Sequence, residues 1–321
     1  MDCLIIGAGI SGLMAATTLQ AQGWAVTVLD KGRGVGGRMA TRRLDTHTHA
    51  DHGAQFFTIR SPKFATHVQA WEQAGTAVEW CRGFSATGDG HARYRGVGGM
   101  SAVAKHLAQG LNVVTNTQVV QLQTVGNEWL ATTGRGQKFT ASRLLLTPPV
   151  PQSLALLDAG NVQLPSAERA ALETILYDPC FAVLATLSEP STIPHPGAVQ
   201  AWGEPIIWIA DNQQKGVSEV PTVTIHASAA FTRHYFETPY SEVARLLLEA
   251  AEAQGWLRQA AVQNVQVHRW RYAQPAQLHP QRYLFVRQTP PVIFAGDAFH
   301  EARVEGAALS GLAAAEALLA G

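Results

Sequence analysis

Three glycines near the start of the chain have the spacing of a phosphate-binding loop. Gly7, Gly9 and Gly12 lie between a short apolar run, 3–6, and a segment with apolar residues at helical spacing, 10–22. In this context the first glycine permits a tight turn, the second lets a pyrophosphate approach the backbone, and the third lets helix and strand pack closely. The helix N-terminus adds a partial positive charge. We predict a dinucleotide-binding loop; a βαβ turn without a ligand is the alternative.

An acidic residue and a second glycine loop strengthen this prediction. Residues 25–29 form a second apolar strand, and Asp30 follows it, where a carboxylate can accept hydrogen bonds from both ribose hydroxyls. Four glycines then occur between positions 32 and 37, followed by Arg38, a pattern typical of a backbone wrapped around an anion. An exposed flexible loop is the alternative. The cofactor-binding residues predicted in this part are Gly7, Gly9, Ile10, Ser11, Gly12, Asp30, Lys31, Gly37, Arg38 and Met39.

These combined features resemble the FAD-binding start of the amine oxidase and hydroxybenzoate hydroxylase-like flavoproteins. The C-terminal end is interpreted in the same way. An apolar strand, 292–295, leads to Gly296 and Asp297, and a helix opens near Gly306 and Ala307. A helix N-terminus directed at a flavin would stabilise negative charge on the reduced ring, and Asp297 would hold the ribityl or phosphate groups. A surface turn would explain Gly296 and Asp297 taken alone.

The elements around these loops predict an α/β fold. Together with the resemblance, they imply a Rossmann-like FAD-binding domain of the hydroxybenzoate hydroxylase or amine oxidase type and a second, α+β substrate domain with a mainly antiparallel sheet. Alternating runs at 113–115, 119–122 and 129–132 predict a small antiparallel meander. The predicted domains are 1–58, 96–150 and 288–321 for FAD binding, and 59–95 and 151–287 for the substrate.

Further motifs indicate a more specific family within these flavoproteins. The runs Asp-His-Gly-Ala-Gln-Phe-Phe-Thr at 51–58, Gly-Val-Gly-Gly-Met at 96–100, Arg-Trp-Arg-Tyr at 269–272 and Arg-Val-Glu-Gly at 303–306 together resemble the renalase family. The resemblance covers almost the whole chain, with 155–260 matching loosely. It implies an FAD-dependent oxidase that transfers a hydride from misreduced dihydronicotinamide isomers of NAD(P)H to flavin N5. The electrons would pass to O2, giving hydrogen peroxide.

The resemblance also implies roles for single residues. Arg303 would lie near the flavin or the substrate phosphates, and Val119 would meet the adenine through its backbone. The residues expected beside the isoalloxazine are Gly53, Ala54, Gln55 and Phe57, with Gln55 as a donor to the flavin edge. The predicted substrate-contacting residues, for each of which a structural role is the alternative, are Arg95, Gly96, Val97, Gly98 and Thr186.

Lysine and cysteine positions bear on the competing functions. Many amine oxidases place a lysine of the substrate domain near flavin N5; here Lys215 is the only lysine in the 151–287 part of that domain, and we predict that its turn, 213–216, is exposed. This argues against an amine or polyamine oxidase, which stays the first alternative; a non-catalytic flavin-fold binding protein is the second. No cysteine occurs at 305–311, so FAD is predicted to be noncovalent. Hydride transfer depends mainly on positioning, so no catalytic side chain is predicted.

Composition excludes several classes of protein. The chain has 321 residues, 46% of them hydrophobic, with 24 basic and 24 acidic side chains. Such a chain has the apolar content of a globular protein, and it has no broad positive field to bind nucleic acid or an anionic membrane. No apolar stretch reaches the ~18 residues of a membrane span. The resemblance implies a small dihydronicotinamide dinucleotide and O2 as partners, and the expected state is a monomer or weak dimer.

Cysteine and histidine usage points to a reduced protein without a metal. The three cysteines, Cys3, Cys81 and Cys180, are too widely separated to predict a disulfide framework or a metal site, which favours a cytoplasmic location. His47, His49 and His52 are spaced much as metal ligands on a strand could be. They lack carboxylate partners at the spacing of a zinc site, so no metal is predicted.

Overall fold

The computed structural model of the protein describes residues 1–85, 87–201 and 203–320. The chain forms two compact units: unit 1 comprises Met1–Gly37, Val103–Tyr177 and Gln274–Gly321, and unit 2 comprises Arg38–Ala102 and Asp178–Ala273. The helices are α1 (Ile10–Ala21), α2 (Pro62–Gln73), α3 (Ser101–Leu107), α4 (Val150–Ala159), α5 (Ser166–Glu173), α6 (Ala229–His234), α7 (Tyr240–Ala253) and α8 (Val304–Ala320). The strands are β1 (Asp2–Ile6), β2 (Ala25–Leu29), β3 (Thr41–Arg43), β4 (His49–Asp51), β5 (Ala77–Cys81), β6 (Arg93–Gly96), β7 (Asn112–Val114), β8 (Val119–Val125), β9 (Glu128–Thr133), β10 (Lys138–Ala141), β11 (Leu144–Leu146), β12 (Tyr177–Leu187), β13 (Ala198–Gln200), β14 (Ile206–Asp211), β15 (Thr222–Ala227), β16 (Val262–Pro275), β17 (Leu284–Val286) and β18 (Val292–Phe294).

Unit 1 is built on a six-stranded sheet in the order β17-β18-β11-β1-β2-β7. All neighbouring strands are parallel except β17, which pairs with β18 in the antiparallel sense. The apolar runs of β1, β11 and β18 are buried, as strands covered on both faces require. Helices α1 and α8 pack so closely that a Cβ at Gly311 would lie 2.1 Å from the carbonyl oxygen of Ser11.

A second, three-stranded antiparallel sheet of unit 1 has the order β10-β9-β8. The predicted meander is therefore present, but its first strand was assigned wrongly. Strand β7 pairs in parallel with β2, with Val113 opposite Val28. The physical reason is that β7 follows a helix, α3, and a strand that returns through a helix joins its sheet in the parallel sense.

Unit 2 contains a five-stranded sheet in the order β13-β14-β15-β12-β16. The pairs β13–β14, β14–β15 and β12–β15 are antiparallel. One face of this sheet packs against the apolar side of α7, with Ile225, Val183 and Leu247 in a common core. The other face carries Trp208, Thr224 and other residues of the candidate site described below. Two small hairpin-like sheets, β3-β4 and β5-β6, complete the unit.

The predicted fold class is confirmed: a mainly parallel Rossmann-like sheet in one unit and a mainly antiparallel sheet in the other. Sequence patterns missed the helices α4 and α6 and the strands β3 to β6, β10, β13 and β17. The predicted functional domains stay predictions; residues 38–58 lie in unit 2 and residues 151–177 in unit 1. Among the residues that the structure describes, no helix has the length and apolar character needed to cross a bilayer.

Candidate functional site

The first glycine loop of unit 1 has the geometry that its sequence predicts. Gly7 has φ +103°, a conformation that favours glycine, and a Cβ there would lie 2.5 Å from Thr147 Oγ1. A Cβ at Gly12 would lie 2.0 Å from the Gly7 carbonyl oxygen, so only glycine permits this approach of helix to strand. Gly9 differs from both, because a Cβ there would meet nothing within 4 Å. The loop is thus tightly packed at its ends and open at its centre.

The N-terminus of α1 carries a buried polar atom without a partner. Ser11 is 4% exposed, and its Oγ has no hydrogen-bond partner among the described residues. The N-cap position, Gly9, offers no side chain to the first free amides of the helix. A buried hydroxyl and free amides at a helix N-terminus provide donors for an anion.

Asp30 joins the two glycine loops. Its Oδ2 accepts a hydrogen bond from Ala8 N at 2.7 Å, and its Oδ1 accepts one from Gly32 N at 2.6 Å. Each carboxylate oxygen has a further lone pair, so ribose hydroxyls could still donate to it. The backbone of Asp30 also accepts from Thr117 N at 2.8 Å, which holds the start of β8 beside the end of β2. Val119, the residue predicted to meet adenine, lies two positions further along that strand.

The second glycine loop folds back along the first. Gly36 N donates to Ala8 O at 2.8 Å, and Gly36 forms an isolated parallel bridge with Gly9. Gly37 has φ +53°, and a Cβ there would lie 3.4 Å from Gly9 Cα. Lys31, by contrast, is exposed and reaches Gln152 Oε1 at 3.4 Å. Two stretches of glycine backbone therefore lie side by side with little side-chain cover.

The C-terminal turn of unit 1 is also held by backbone contacts. Gly296 has φ +140°, and its N–H donates to Ser310 Oγ of α8 at 2.8 Å. A Cβ at Gly306 would lie 2.1 Å from the Glu301 carbonyl oxygen, so the turn before α8 packs against the first turn of that helix. Arg303 pairs with Glu301 at 3.4 Å and is partly exposed. The expected contacts of Asp297, Arg303 and Ala307 with a cofactor or substrate stay predictions.

In unit 2 the structure brings together the stretches around Arg38 and Gly53. Ala54 N donates to Arg38 O at 2.8 Å, and a Cβ at Gly53 would lie 2.0 Å from that same oxygen. The Arg38 guanidinium lies 3.5 Å from the carbonyl oxygens of Tyr272 and Ala273. Met39, next along the chain, is buried.

A fully buried ion pair lies behind this backbone. Lys215 Nζ donates to Asp51 Oδ2 at 2.8 Å, and both side chains have zero exposure. Asp51 Oδ1 accepts from Thr41 Oγ1 at 2.6 Å and from Met100 N at 2.9 Å. Lys215 also lies 5.1 Å from the ring centre of Trp80. Burial lowers the pKa of Lys215 and the nearby Arg95 lowers it further, whereas Asp51 opposes the shift.

This pair corrects the prediction that Lys215 is exposed. Residues 213–216 do form a turn, but Lys215 is directed inward to Asp51, 164 positions away in the chain. A lysine can be buried when its charge is paired and hydrogen-bonded, and here the partner comes from a distant strand. The argument that this lysine counts against an amine oxidase is therefore wrong.

Gln55 is held between the ion pair and the backbone. Its Oε1 accepts from Lys215 Nζ at 3.3 Å, while its Nε2 donates to Asp51 O at 2.6 Å and to Gly53 O at 3.1 Å. Both amide hydrogens of the side chain are thus in use. The predicted donation from Gln55 to a flavin edge requires one of these bonds to break, and it stays a prediction.

Of the predicted substrate residues 95–98, Arg95 and Gly96 end strand β6, and Val97 and Gly98 lie in the turn that follows it. Arg95 is half-buried, its Nε has no hydrogen-bond partner among the described residues, and burial lowers its pKa. Its Nη2 would lie 2.8 Å from a Cβ at Gly216, so the guanidinium rests against the turn that carries Lys215. Gly96 is packed against the Gly99 carbonyl oxygen, whereas Val97 and Gly98 face open space.

A pocket of about 480 Å³ lies beside Gly53 and Gln55 within unit 2. Trp208 is 7% exposed and packs against Phe56 and Phe84, with ring centres 5.6 and 4.8 Å away. Burial lowers the pKa of His226 to about 4, so this ring is neutral near pH 7. The residues that line the pocket are Gly53, Ala54, Gln55, Phe56, Gln200, Ala201, Gly203, Ile207, Trp208 and His226.

Neutral histidines also lie behind the pocket. His52 stacks on Trp270 with ring centres 5.2 Å apart, and Trp270 Nε1 donates to His52 O at 2.8 Å. Burial, helped by His268, lowers the pKa of His52 to about 3, and burial lowers that of His268 to about 4. These rings carry no charge near neutral pH. Within the described part of the chain, no group of three or more His, Cys, Asp or Glu residues could hold a metal ion.

Comparison with known protein families identifies the class of protein. Residues 5–71 match the NAD(P)-binding Rossmann-like domain, and residues 78–319 match the flavin containing amine oxidoreductase family. The second match covers most of the chain. The chain belongs to the flavin containing amine oxidoreductases.

Individual relatives of this oxidoreductase agree with that assignment. Mouse renalase is 24% identical over 342 residues, covering 98% of both chains, so the predicted resemblance to renalase is confirmed. The lysine-specific histone demethylase 1 homolog 3 of Arabidopsis thaliana is 47% identical over 55 residues, which is 17% of this chain and 3% of that protein.

Solved structures show the same fold. A protein from Exiguobacterium sp. 255-15 assigned as a protoporphyrinogen oxidase has a TM-score of 0.75 at 13% identity, covering 99% of this oxidoreductase and 98% of that chain. Putrescine oxidase bound to putrescine has a TM-score of 0.72 at 17% identity, covering 100% and 99% of the two chains.

Family membership makes the protein a flavoprotein with FAD as its cofactor, which confirms the predicted cofactor. The residues present fit this group. The loop around Gly9 is open, so a diphosphate could approach the backbone, and the buried Ser11 hydroxyl lacks a partner that a phosphate oxygen would provide. Asp30 has acceptor capacity left for the ribose. Individual cofactor contacts stay predictions.

Paired glycine substitutions test this loop in the oxidoreductase. We expect Gly9→Ala to leave the stability of the FAD-free protein unchanged, because its methyl group enters open space, but to weaken FAD binding at least about tenfold by occupying the phosphate approach. Gly12→Ala is the matched control, since its methyl group would displace the Gly7 carbonyl and lower stability. Thermal unfolding and FAD titration separate the two effects. Equal losses of stability would contradict the assigned role of Gly9.

Other predicted residues have structural contacts that sequence reasoning did not anticipate. Phe57 is 3% exposed and stacks on Tyr94 with ring centres 5.7 Å apart, so its ring is part of an aromatic core. Thr186 pairs with Thr222, on the sheet face that also carries Thr224 and His226. Residues that the sequence analysis missed as site residues include Asp51, Phe56 and His226. Because alternate residues of a strand face the same side of its sheet, the sequence pattern along β14 and β15 could have placed Trp208 and His226 on one face of that sheet.

Proposed function

We propose that this flavoprotein oxidises misreduced dihydronicotinamide isomers of NAD(P)H. A hydride leaves the dihydropyridine carbon for flavin N5, and the electrons then pass to O2. Overall, one substrate, one O2 and one proton give NAD(P)+ and hydrogen peroxide. The similarity to mouse renalase along 98% of both chains supports the choice of this substrate class. Bound FAD supplies the two-electron acceptor and the route to O2.

The observation that carries this proposal is the neutral lining of the pocket beside Gly53 and Gln55. No carboxylate, lysine or arginine is among the described residues that line it, and His226 is neutral because burial lowers its pKa to about 4. A dihydropyridine becomes aromatic when it loses a hydride, so no base is needed to remove a proton. A pocket that positions a flat neutral ring is sufficient for this step.

The chain's own residues would act by positioning. The Asp51–Lys215 pair fixes Gln55, and Gln55 in turn fixes the carbonyl oxygen of Gly53 through its amide. Trp208 and Phe56 form an aromatic wall against which a flat ring could pack. Each of these groups is packed or hydrogen-bonded in place before a ligand arrives, which reduces the entropy lost on binding.

Anaerobic mixing tests the proposal. The holoenzyme would be mixed separately with chemically misreduced NAD, ordinary NADH and a panel of amines, and the visible flavin absorbance would be followed. We expect rapid bleaching by the misreduced isomers alone, followed by peroxide formation when O2 is admitted. Bleaching by amines alone would reverse the order of the two candidate activities. A flavin that no reductant bleaches would favour the non-catalytic binding protein.

An amine oxidase is the second candidate, and the buried Lys215 favours it. Burial lowers the pKa of this lysine within the unit that carries the pocket. Its ammonium group, however, donates to Asp51 and Gln55 and faces the Trp80 ring. Because these contacts engage it, we place this candidate second.

A further inference from the structure

Three neighbouring strands of unit 2 place polar side chains side by side in the pocket wall. Trp208 of β14 is paired with Gln200 of β13 on one side and with His226 of β15 on the other. Residues directly opposite each other in antiparallel strands project from the same face of the sheet, with Cβ atoms about 5 Å apart. All three residues line the pocket beside Gly53 and Gln55. The wall thus contains a row of polar groups without formal charge.

The indole of Trp208 carries a hydrogen-bond donor without an acceptor. The residue is 7% exposed, and its Nε1 has no hydrogen-bond partner among the described residues. Packing against Phe56 and Phe84 holds the ring in place. An indole N–H can only donate, and a buried donor without an acceptor is destabilising. A ligand or an ordered water in the pocket is therefore needed to supply the acceptor.

His226 carries the complementary group. Its Nε2 is also buried and has no hydrogen-bond partner among the described residues. Burial lowers the pKa of His226 to about 4, and a hydrogen bond with the backbone of His52 opposes this shift. Because Nε2 has no partner, that bond comes from Nδ1. In a neutral ring with its proton on Nδ1, Nε2 has a free lone pair and acts as an acceptor.

A donor and an acceptor on neighbouring residues match few chemical groups. A primary carboxamide has a carbonyl oxygen and an NH2 group on the same carbon, so it can accept from one residue and donate to the other. A carboxylate has no N–H for Nε2, and an alkyl ammonium group has no lone pair for the indole. The pair Trp208 and His226 therefore favours a carboxamide over an acid or an amine.

We propose that Trp208 and His226 recognise the carboxamide of a nicotinamide ring. The indole N–H donates to the carboxamide oxygen, and His226 Nε2 accepts from the carboxamide nitrogen. The proposal rests on the proposed function, because it names the group by which the pocket would select its dihydronicotinamide substrate. Recognition by neutral groups also leaves the ring free to change from a neutral dihydropyridine to a pyridinium without meeting an opposing charge.

Three oxidised dinucleotides of closely similar shape test this recognition without turnover. NAD+ carries the carboxamide, 3-acetylpyridine adenine dinucleotide replaces its NH2 group by a methyl group, and nicotinic acid adenine dinucleotide carries a carboxylate. Their dissociation constants would be measured from changes in the flavin absorbance spectrum of oxidised holoenzyme. We expect wild type to bind NAD+ at least about fivefold more tightly than either analogue, because each analogue leaves Nε2 without a donor.

Two substitutions assign this preference to its residues. His226→Asn keeps an amide nitrogen near the position of Nδ1 but removes Nε2, and it should bring NAD+ and the acetyl analogue within twofold of each other. Trp208→Phe keeps an aromatic ring and should weaken both of these ligands at least about fivefold, because both present a carbonyl oxygen to the lost donor. Trp256→Phe removes an indole that lines a separate pocket, so it is the matched control and should leave all three dissociation constants within twofold of wild type. Thermal unfolding shows whether each variant is folded.

The outcomes separate this recognition from the proposed function. If wild type binds NAD+ and the acetyl analogue within twofold of each other, or binds neither, the recognition is wrong whether or not the variants fold. It is also wrong if His226→Asn keeps the preference, or if Trp208→Phe has no larger effect than Trp256→Phe. Flavin reduction by misreduced NAD isomers is measured independently in wild type. If that reduction occurs without a preference for the carboxamide, the recognition alone is wrong; if amines alone reduce the flavin, the proposed function is wrong.

Discussion

Replacing Lys215 by methionine is expected to lower the free energy of unfolding by about 3–5 kcal/mol, the cost of leaving a buried charge without its partner. Asp51 has zero side-chain exposure, so water cannot replace the ammonium group. The two remaining donors, Thr41 and the amide of Met100, both bond to Oδ1, which leaves Oδ2 unpaired. Urea denaturation with FAD in excess measures the loss.

Two control variants distinguish the ion pair from a general effect of losing a lysine. Lys105→Met removes an exposed lysine of α3 and should change stability by less than about 0.5 kcal/mol. Lys215→Met combined with Asp51→Asn replaces the ion pair by neutral groups and should recover much of the loss, because no buried charge is left. If Lys215→Met destabilises the protein no more than Lys105→Met, the pair is not buried as the structure places it.

Lys215 also shows where prediction from sequence ends. The polar run at 213–216 is typical of a turn, and the backbone does turn there. Its burial depends on Asp51, which approaches through the three-dimensional packing of β4 against β15. No local sequence pattern predicts this contact between Asp51 and Lys215. The same limit explains why the pairing of β7 was predicted wrongly. Its residues have strand character, but its partner, β2, is separated from it by a long insertion in the sequence.

The first glycine loop was predictable for the opposite reason. Strand β1, the loop and α1 are consecutive, so the roles of Gly7 and Gly12 follow from contacts within a few residues. Asp30 directly follows the next strand, and a parallel βαβ unit places the carboxyl ends of both strands at one edge. The pocket residues of unit 2 come from the loop after β4 and from the region of β13 to β15, and no local pattern predicts that these distant segments meet.

Asp30 provides the second large expected effect. Asp30→Ala should weaken FAD binding by about 3 kcal/mol, or about 100-fold, through the loss of two charge-assisted hydrogen bonds to ribose. The variant also removes the acceptors of Ala8 N and Gly32 N, which hold the two glycine loops together. Titration of FAD-free protein with FAD, followed by flavin fluorescence, gives the dissociation constant. Asp30→Asn keeps one acceptor oxygen and should lose less.

A matched carboxylate shows whether the effect belongs to the cofactor site. Asp45 in unit 2 also accepts from two backbone amides, those of His47 and Thr48, at 2.9 and 3.0 Å. Asp45→Ala therefore removes a similar turn without touching the glycine loops, and FAD affinity should stay within twofold of wild type. An Asp30→Ala protein that keeps its full flavin content through gel filtration, with affinity equal to that of Asp45→Ala, would show that Asp30 serves only the fold of the loop. A loss confined to Asp30→Ala, with the thermal unfolding of the FAD-free protein unchanged, would instead assign the carboxylate to the cofactor, because the hydrogen bonds to Ala8 N and Gly32 N would then be shown to matter little for the fold of the loops.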